Sequence, residues 1–145
     1  MAKTKPVFSI ESYGIYDGFI DGGKTLPKIA KHTHIIPAQI DIEFGFVLHA
    51  KKAKGEHLSW CIAHPNICDK QGVIMAPFEG GLHVRTNDWR FYLGDTIWAP
   101  EQDKLGSWHM LIKHNDKIIA EQIFEITLED EEEQKQAQFW KKRGF

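Results

Sequence analysis

Two cysteines and two histidines lie close together in the chain and supply the ligand types of a structural zinc site. They are His57, Cys61, His64 and Cys68, and thiolates and imidazoles are common zinc ligands. Their spacing is unfavourable, because zinc knuckles place two cysteines within a few residues of each other. On an extended strand, His57 and Cys61 would share a face and His64 would point to the opposite one. We therefore predict that Cys61 packs as a small hydrophobe, that Cys68 lies in a loop, and that the chain uses no metal or other cofactor.

Other patterns that could do chemistry are weaker. His32 and His34 would lie on one side of an extended chain, which provides two ligands for a transition metal but not a third. No Gly-x-Ser-x-Gly sequence places a serine on a nucleophile turn. The sequence therefore favours a protein that is not an enzyme.

Aromatic side chains are the remaining signal. The 145 residues include five Trp, nine Phe and three Tyr, an aromatic share of 12%. Trp89, Tyr92 and Trp98 could form a ligand-binding platform on which a sugar or a base stacks. In the interpretation that we prefer, Trp89 and Phe91 instead fill a core while Arg90 and Tyr92 point outwards.

The charge and the apolar pattern exclude several classes of partner. The net charge is -2 with both signs interspersed, which gives no footprint for nucleic acid or for an anionic membrane. No segment approaches the ~20 apolar residues of a membrane span. The first residues contain no apolar run of signal-peptide length. We expect a cytoplasmic protein with free thiols, without nucleic-acid or membrane partners.

Alternation of apolar and polar residues predicts the first strands. One spans Val7–Tyr16, and a long one covers residues 33–50, with Ile40 on its apolar face and Glu43 on its polar face. Because of Pro37, the long strand begins either at a sheet edge or at Ala38. A short strand over residues 58–62 would then complete a hairpin with the long one.

The middle of the chain is less regular. Residues 66–81 are predicted to be mainly loop, because glycine and proline interrupt every period. Strands over 82–85 and 89–98 follow, and Gly94 shifts the alternation as a bulge would. This spacing of short strands is typical of an antiparallel β-sandwich, with a closed barrel as the alternative.

Residues 106–128 predict a long β-hairpin. A two-residue loop at 115–116 would mix charged and apolar side chains on each face. A loop over residues 114–116 instead separates them. It places six apolar side chains on one face, namely Trp108, Met110, Ile112, Ile118, Ala120 and Phe124.

The end of the chain, residues 129–145, differs from the β-domain predicted over residues 1–128. Its acids precede its bases, the order that a helix dipole favours, so we predict a short C-terminal helix, with a frayed tail as the alternative. Phe139 and Trp140 would pack either on their own domain or on a second copy. The aromatic content and the open edges of a sandwich favour a homo-oligomer, most simply a dimer, with Phe139 and Trp140 at its interface.

Four short segments carry a resemblance to a known family. They are Tyr-Gly-Ile-Tyr at 13–16, Ile-Glu-Phe-Gly-Phe at 42–46, Gly-Ser-Trp at 106–108 and Glu-Gln-Ile-Phe-Glu-Ile at 121–126. With these, the chain resembles the bacterial domain-of-unknown-function family 3859, some members of which are carried on integron gene cassettes. The resemblance covers roughly residues 7–127. It implies an immunoglobulin-like β-sandwich and carries no catalytic residues. We interpret the protein as a non-enzymatic interaction or self-association module, with small-ligand binding through aromatic residues as the alternative.

Overall fold

The fold is built almost entirely from strands. The computed structural model describes residues 5–17, 26–65 and 67–128. A single turn of 3-10 helix, Glu101–Lys104, lies between two of the strands. The strands are β1 (Val7–Tyr16), β2 (Ile29–Lys31), β3 (Ile35–Pro37), β4 (Glu43–Lys51), β5 (His57–Ala63), β6 (Phe78–His83), β7 (Asp88–Thr96), β8 (Gly106–His114) and β9 (Lys117–Thr127).

The strands form two sheets that pack face to face. One has the order β2-β1-β4-β7 and the other β3-β9-β8-β5-β6. Neighbours are antiparallel except β3 and β9, which run parallel. The predicted all-β sandwich is confirmed. In the described ranges, no helix is both long and apolar enough to cross a membrane.

Aromatic rings from both sheets meet at the centre of the core. Phe44 of β4 lies edge-on to Trp108 of β8 and to Phe124 of β9, with ring centroids 5.2 and 5.5 Å apart. All three side chains are fully buried. Such edge-to-face contacts add to the stability that comes from burying the rings.

The predicted hairpin exists, but its loop is shorter than expected. Asn115 and Asp116 form a two-residue turn in which both have positive φ, which matches the twist of a β-hairpin. The pairing of β8 with β9 shifts register between Ile112 and Lys113. Beyond this shift, the apolar side chains lie on the face that was predicted. Five of the six predicted inward side chains are buried. The sixth, Ile118, lies on the turn side of the shift and is 49% exposed, so its placement was wrong.

The single strand predicted over residues 33–50 is also wrong, because the chain turns between β3 and β4. Asp41 has φ 74° at this turn, a conformation that ends a strand. Ile40 is consequently exposed rather than on the apolar face. β1 has the predicted bounds, Val7–Tyr16.

The predicted hairpin between the long strand and residues 58–62 does not form. β4 pairs with β1 and β7, whereas β5 pairs with β6 and β8 in the opposite sheet. The chain also changes sheet between β6 and β7. Residues 78–81, predicted as loop, belong to β6. The pairing errors have one cause, since alternation reveals which side chains share a face but not which strand lies alongside.

Gly94 does not form the predicted bulge. The register of β7 with β4 is continuous from Asp88 to Thr96. Gly94 instead lies beside Gly45, which in turn lies beside Gly14 of β1. This row of glycines lets three strands approach closely, because a Cβ atom at Gly45 would lie 2.1 Å from the carbonyl oxygen of Leu93. The predicted C-terminal helix falls outside the described residues.

Candidate functional site

One end of the sandwich gathers most of the irregular chain. Here β1, β5, β7 and β9 end, and β4, β6 and β8 begin, because their neighbours run antiparallel. Backbone hydrogen bonds join the segments, from Asp41 N to Ile97 O at 2.9 Å and from Ala38 N to Thr127 O at 2.7 Å. We call this surface the loop end, comprising residues 26–28, 38–42, 64–65, 67–77, 97–105 and 128.

Exposed apolar side chains concentrate at the loop end. Eleven large hydrophobic residues are exposed in the described part of the chain. Four lie elsewhere, namely Val7, Tyr13, Ile118 and Ile123. The seven at the loop end are Leu26, Ile40, Val73, Ile74, Met75, Trp98 and Leu128. Scattered exposed hydrophobics are normal on a protein surface, but a concentration of them marks an interaction site.

A small hairpin over residues 67–75 presents three of these side chains. Its strands are joined by hydrogen bonds from Asp69 N to Val73 O at 2.9 Å and from Met75 N to Ile67 O at 2.8 Å. The Asp69 carboxylate accepts further bonds from the backbone N–H groups of Gln71 and Val73. Ile67 is buried and anchors the hairpin to the core. The exposed side chains are therefore held by an ordered backbone.

A buried ammonium group lies below the exposed Trp98. The Lys104 side chain is only 1% exposed, and its Nζ forms an ion pair with Asp103 at 2.6 Å and donates to the carbonyl oxygen of Pro100 at 3.0 Å. Nζ also lies 4.2 Å from the centre of the Trp98 ring. A buried charge is stable only with such partners. The Lys104 ammonium therefore supports one face of the Trp98 ring through a cation–π contact.

A buried carboxylate lies beside the loop end, on the outer face of the four-stranded sheet. Glu43 is 4% exposed. It accepts a hydrogen bond from the Tyr92 hydroxyl at 2.8 Å and another from the Thr96 hydroxyl. The Tyr16 ring meets Tyr92 edge-on at 4.9 Å. Burial, and then the neighbouring Glu43, raise the pKa of Tyr92 far above its usual range, so its hydroxyl stays a donor.

Sequence reasoning placed Glu43 on the polar face but missed its burial. The signal was present in Gly45 and Gly94, since glycine within a strand marks a place where another group approaches closely. A Cβ atom at Gly94 would lie 2.2 Å from the Tyr92 hydroxyl oxygen, because the Tyr92 ring lies over this glycine.

The four side chains considered above as possible zinc ligands lie in different surroundings. The His57 ring contacts the His83 ring at 4.8 Å. Cys61 is half-buried, and burial raises the pKa of its thiol. His64 hydrogen-bonds backbone carbonyls, and Cys68 is exposed on the 67–75 hairpin. Throughout residues 5–17, 26–65 and 67–128, no three His, Cys, Asp or Glu side chains are grouped to hold a metal ion. His32 and His34 are exposed.

The aromatic residues predicted to form a ligand platform lie in three places. Trp89 stacks on Phe91 at 5.8 Å near the start of β7. Tyr92 lies on the outer face with Glu43. Trp98 lies at the loop end, 6.3 Å from Phe78. The structure therefore does not join these rings into one surface. Phe139 and Trp140, the predicted interface residues, fall outside the described part of the chain.

Asp95, near the end of β7, gives the loop end a dependence on pH. Burial raises the pKa of its carboxyl to about 6, although it accepts a hydrogen bond from Thr96 N at 2.8 Å that favours the charged form. The pKa of Asp95 in the folded protein lies above the usual value of 3.8, so the protonated carboxyl is the form that the fold favours. The contribution of Asp95 to stability is therefore fully present below pH 3.8. It is lost as the pH rises through about 6.

Asp95→Asn should therefore stabilise the protein at neutral pH, since an amide does not ionise and its oxygen still accepts from Thr96. We expect Tm to rise by roughly 4 °C at about pH 7.5 and to change little at about pH 4. Thermal melts followed by circular dichroism at both pH values measure this. An equal change at both pH values would show that the carboxyl does not titrate as stated.

Comparison with known proteins identifies the fold and the family of this chain. The structure is similar to that of an immunoglobulin-like protein from Pseudomonas aeruginosa, with a TM-score of 0.69 and 17% sequence identity over 88% of this chain and 100% of that chain. By fold, the protein is thus an immunoglobulin-like β-sandwich. The chain belongs to the family described as Domain of unknown function (DUF3859), which it matches over residues 4–126. No curated protein matches it. The predicted family resemblance is confirmed.

Proposed function

We propose that this domain is a non-enzymatic interaction module that self-associates through its loop end as a two-fold dimer. The concentration of exposed apolar side chains at that end carries the proposal. Contact between two such surfaces removes apolar area from water, which is the main favourable term in protein association.

The two buried charges at and beside the loop end are paired within the chain, so they do not oppose a second copy as the partner. The Lys104 ammonium is paired with Asp103, and the Glu43 carboxylate accepts from two hydroxyls. Two loop ends can therefore meet without placing these charges unpaired against each other. A two-fold axis through the surface buries the same patch on both copies, so that one sequence provides both sides of the interface.

The bonds that hold Glu43 and Lys104 support a role for the domain that is not catalytic. Glu43 and Lys104 are the buried charged groups in the described part of the chain, and each is held by partners within the fold. The bonds of Glu43 join β4 to β7, and those of Lys104 close the 3-10 turn, so both groups have a structural role.

Charge introduced into the loop end should separate the dimer. Light scattering at micromolar concentration should give the mass of two chains for the wild type. The double variant Ile40→Asp, Ile74→Asp should give the mass of one, because two carboxylates per chain would be desolvated at the interface. Ile118→Asp is the matched control, since Ile118 is 49% exposed at the opposite end and Ile74 is 61% exposed. A wild-type chain that is monomeric, or a control that also dissociates, contradicts the proposed interface.

A chain that ends at Glu129 tests the part played by Phe139 and Trp140. We propose that these two side chains extend the interface, so the dimer of the shortened chain should dissociate at a higher protein concentration than the dimer of the full chain. If both chains dissociate at the same protein concentration, the loop end forms the dimer without Phe139 and Trp140.

Small-ligand binding is the second candidate, and it is favoured by Trp98. This ring is 37% exposed, lies beside Phe78 and is supported from below by Lys104. A ligand that stacks on it would raise Tm, because binding to the native state stabilises that state. A thermal-shift panel with wild type and Trp98→Leu distinguishes this activity from self-association.

A further inference from the structure

The His64 ring lies between the two ends of the segment that carries the 67–75 hairpin. Its Nδ1 is 2.9 Å from the carbonyl oxygen of Pro65, and its Nε2 is 3.0 Å from the carbonyl oxygen of Ala76. Carbonyl oxygens only accept hydrogen bonds, and a neutral imidazole has a single N–H. Both contacts are hydrogen bonds only when His64 carries two ring protons. In the neutral form, one carbonyl faces a nitrogen lone pair.

The surroundings of the ring are consistent with a positive charge. Two neighbours do not titrate, namely Phe78 of β6 with its ring centroid at 4.7 Å and Trp108 of β8 at 6.1 Å. Asp95 of β7 interacts electrostatically with His64 and with Lys104 of the 3-10 turn. Interaction with His64 favours the ionised form of Asp95 and lowers its pKa, which burial raises. Lys104 is paired with Asp103.

We propose that His64 is a proton-operated clamp on the 67–75 hairpin. Doubly protonated, it donates to both Pro65 and Ala76 and holds the hairpin ordered, with Val73 and Ile74 presented at the loop end. Loss of one proton removes one of the two bonds and loosens the hairpin. The consequence for assembly rests on the proposed function, in that self-association through this surface becomes stronger as the pH falls through the titration of His64.

Amide hydrogen exchange measured by NMR tests the clamp without reference to assembly. The reporters are the N–H groups of Val73 and Met75, which form bonds inside the hairpin. After correction for the intrinsic effect of pH, their protection should fall about tenfold as His64 loses its proton, the effect expected when one hydrogen bond is lost. Amides in the pairing of β8 with β9 should not change. The protonation of His64 is followed in the same samples from its ring nitrogen shifts.

Two variants assign the effect to His64. His64→Gln does not titrate, so protection of the hairpin should become independent of pH. Asp95→Asn removes the other group that titrates nearby, and the dependence should persist in it. The clamp is overturned if protection in the wild type does not follow the titration of His64, or if the dependence disappears in Asp95→Asn. The wild-type result stands alone if His64→Gln fails to fold.

The clamp and the interface fail in different ways. A pH-dependent hairpin in a chain whose mass by light scattering is that of one chain at every pH would support the clamp and contradict self-association through the loop end. A dimer that the Ile40→Asp, Ile74→Asp double variant disrupts, with a hairpin equally protected at every pH, would support the interface and overturn the clamp.

Discussion

Trp108→Ala should lower the free energy of unfolding by about 3–5 kcal/mol. The side chain is fully buried, and it meets Phe44 of the opposite sheet at 5.2 Å. Its Nε1 also donates a hydrogen bond to the carbonyl oxygen of Lys104 at 2.8 Å. Alanine would leave a cavity between the sheets and a buried carbonyl without its donor, and the second effect adds to the first. Urea denaturation followed by circular dichroism measures the change.

Lys113→Ala is the control for this prediction, because Lys113 lies on the same strand and is exposed. Its unfolding free energy should stay within about 0.5 kcal/mol of the wild type. A Trp108→Ala protein with wild-type stability would contradict the position of this ring between the sheets.

Gly45→Ala should cost about 3 kcal/mol, since backbone rather than a flexible side chain fills the space. The added Cβ atom would lie 2.1 Å from the carbonyl oxygen of Leu93 and 2.5 Å from the Cα of Gly94. This clash is relieved only if β4 and β7 move apart. That movement would also stretch the bond from Tyr92 to Glu43 that crosses the same two strands. Chemical denaturation again gives the free energy.

Gly72→Ala is the matched control for Gly45→Ala. Nothing lies within 4 Å of a Cβ atom at Gly72, and only its positive φ of 81° opposes the substitution. We expect it to cost about 1–2 kcal/mol. If Gly45→Ala were no more costly than Gly72→Ala, the close approach of β4 and β7 would be wrong.

Much of the candidate site could not be read from the chain. The sequence marked Trp98 as aromatic and residues 73–75 as apolar, but it gave no indication that they share a surface. Ile40 was assigned to a strand, and the turn at Asp41 moved it to the loop end. The contact of His64 Nε2 with the Ala76 carbonyl oxygen likewise depends on where the chain returns twelve residues later.

The sequence by itself determined the all-β class, the bounds of β1, and the inward faces of β8 and β9 around Trp108 and Phe124. Each of these follows from alternation along one stretch of backbone, whose geometry repeats every two residues. Only the tertiary structure decided that β4 lies between β1 and β7, that Glu43 is buried, and that distant loops meet at one end. Those features depend on contacts between segments far apart in the chain, and the local period carries no information about which segments will meet.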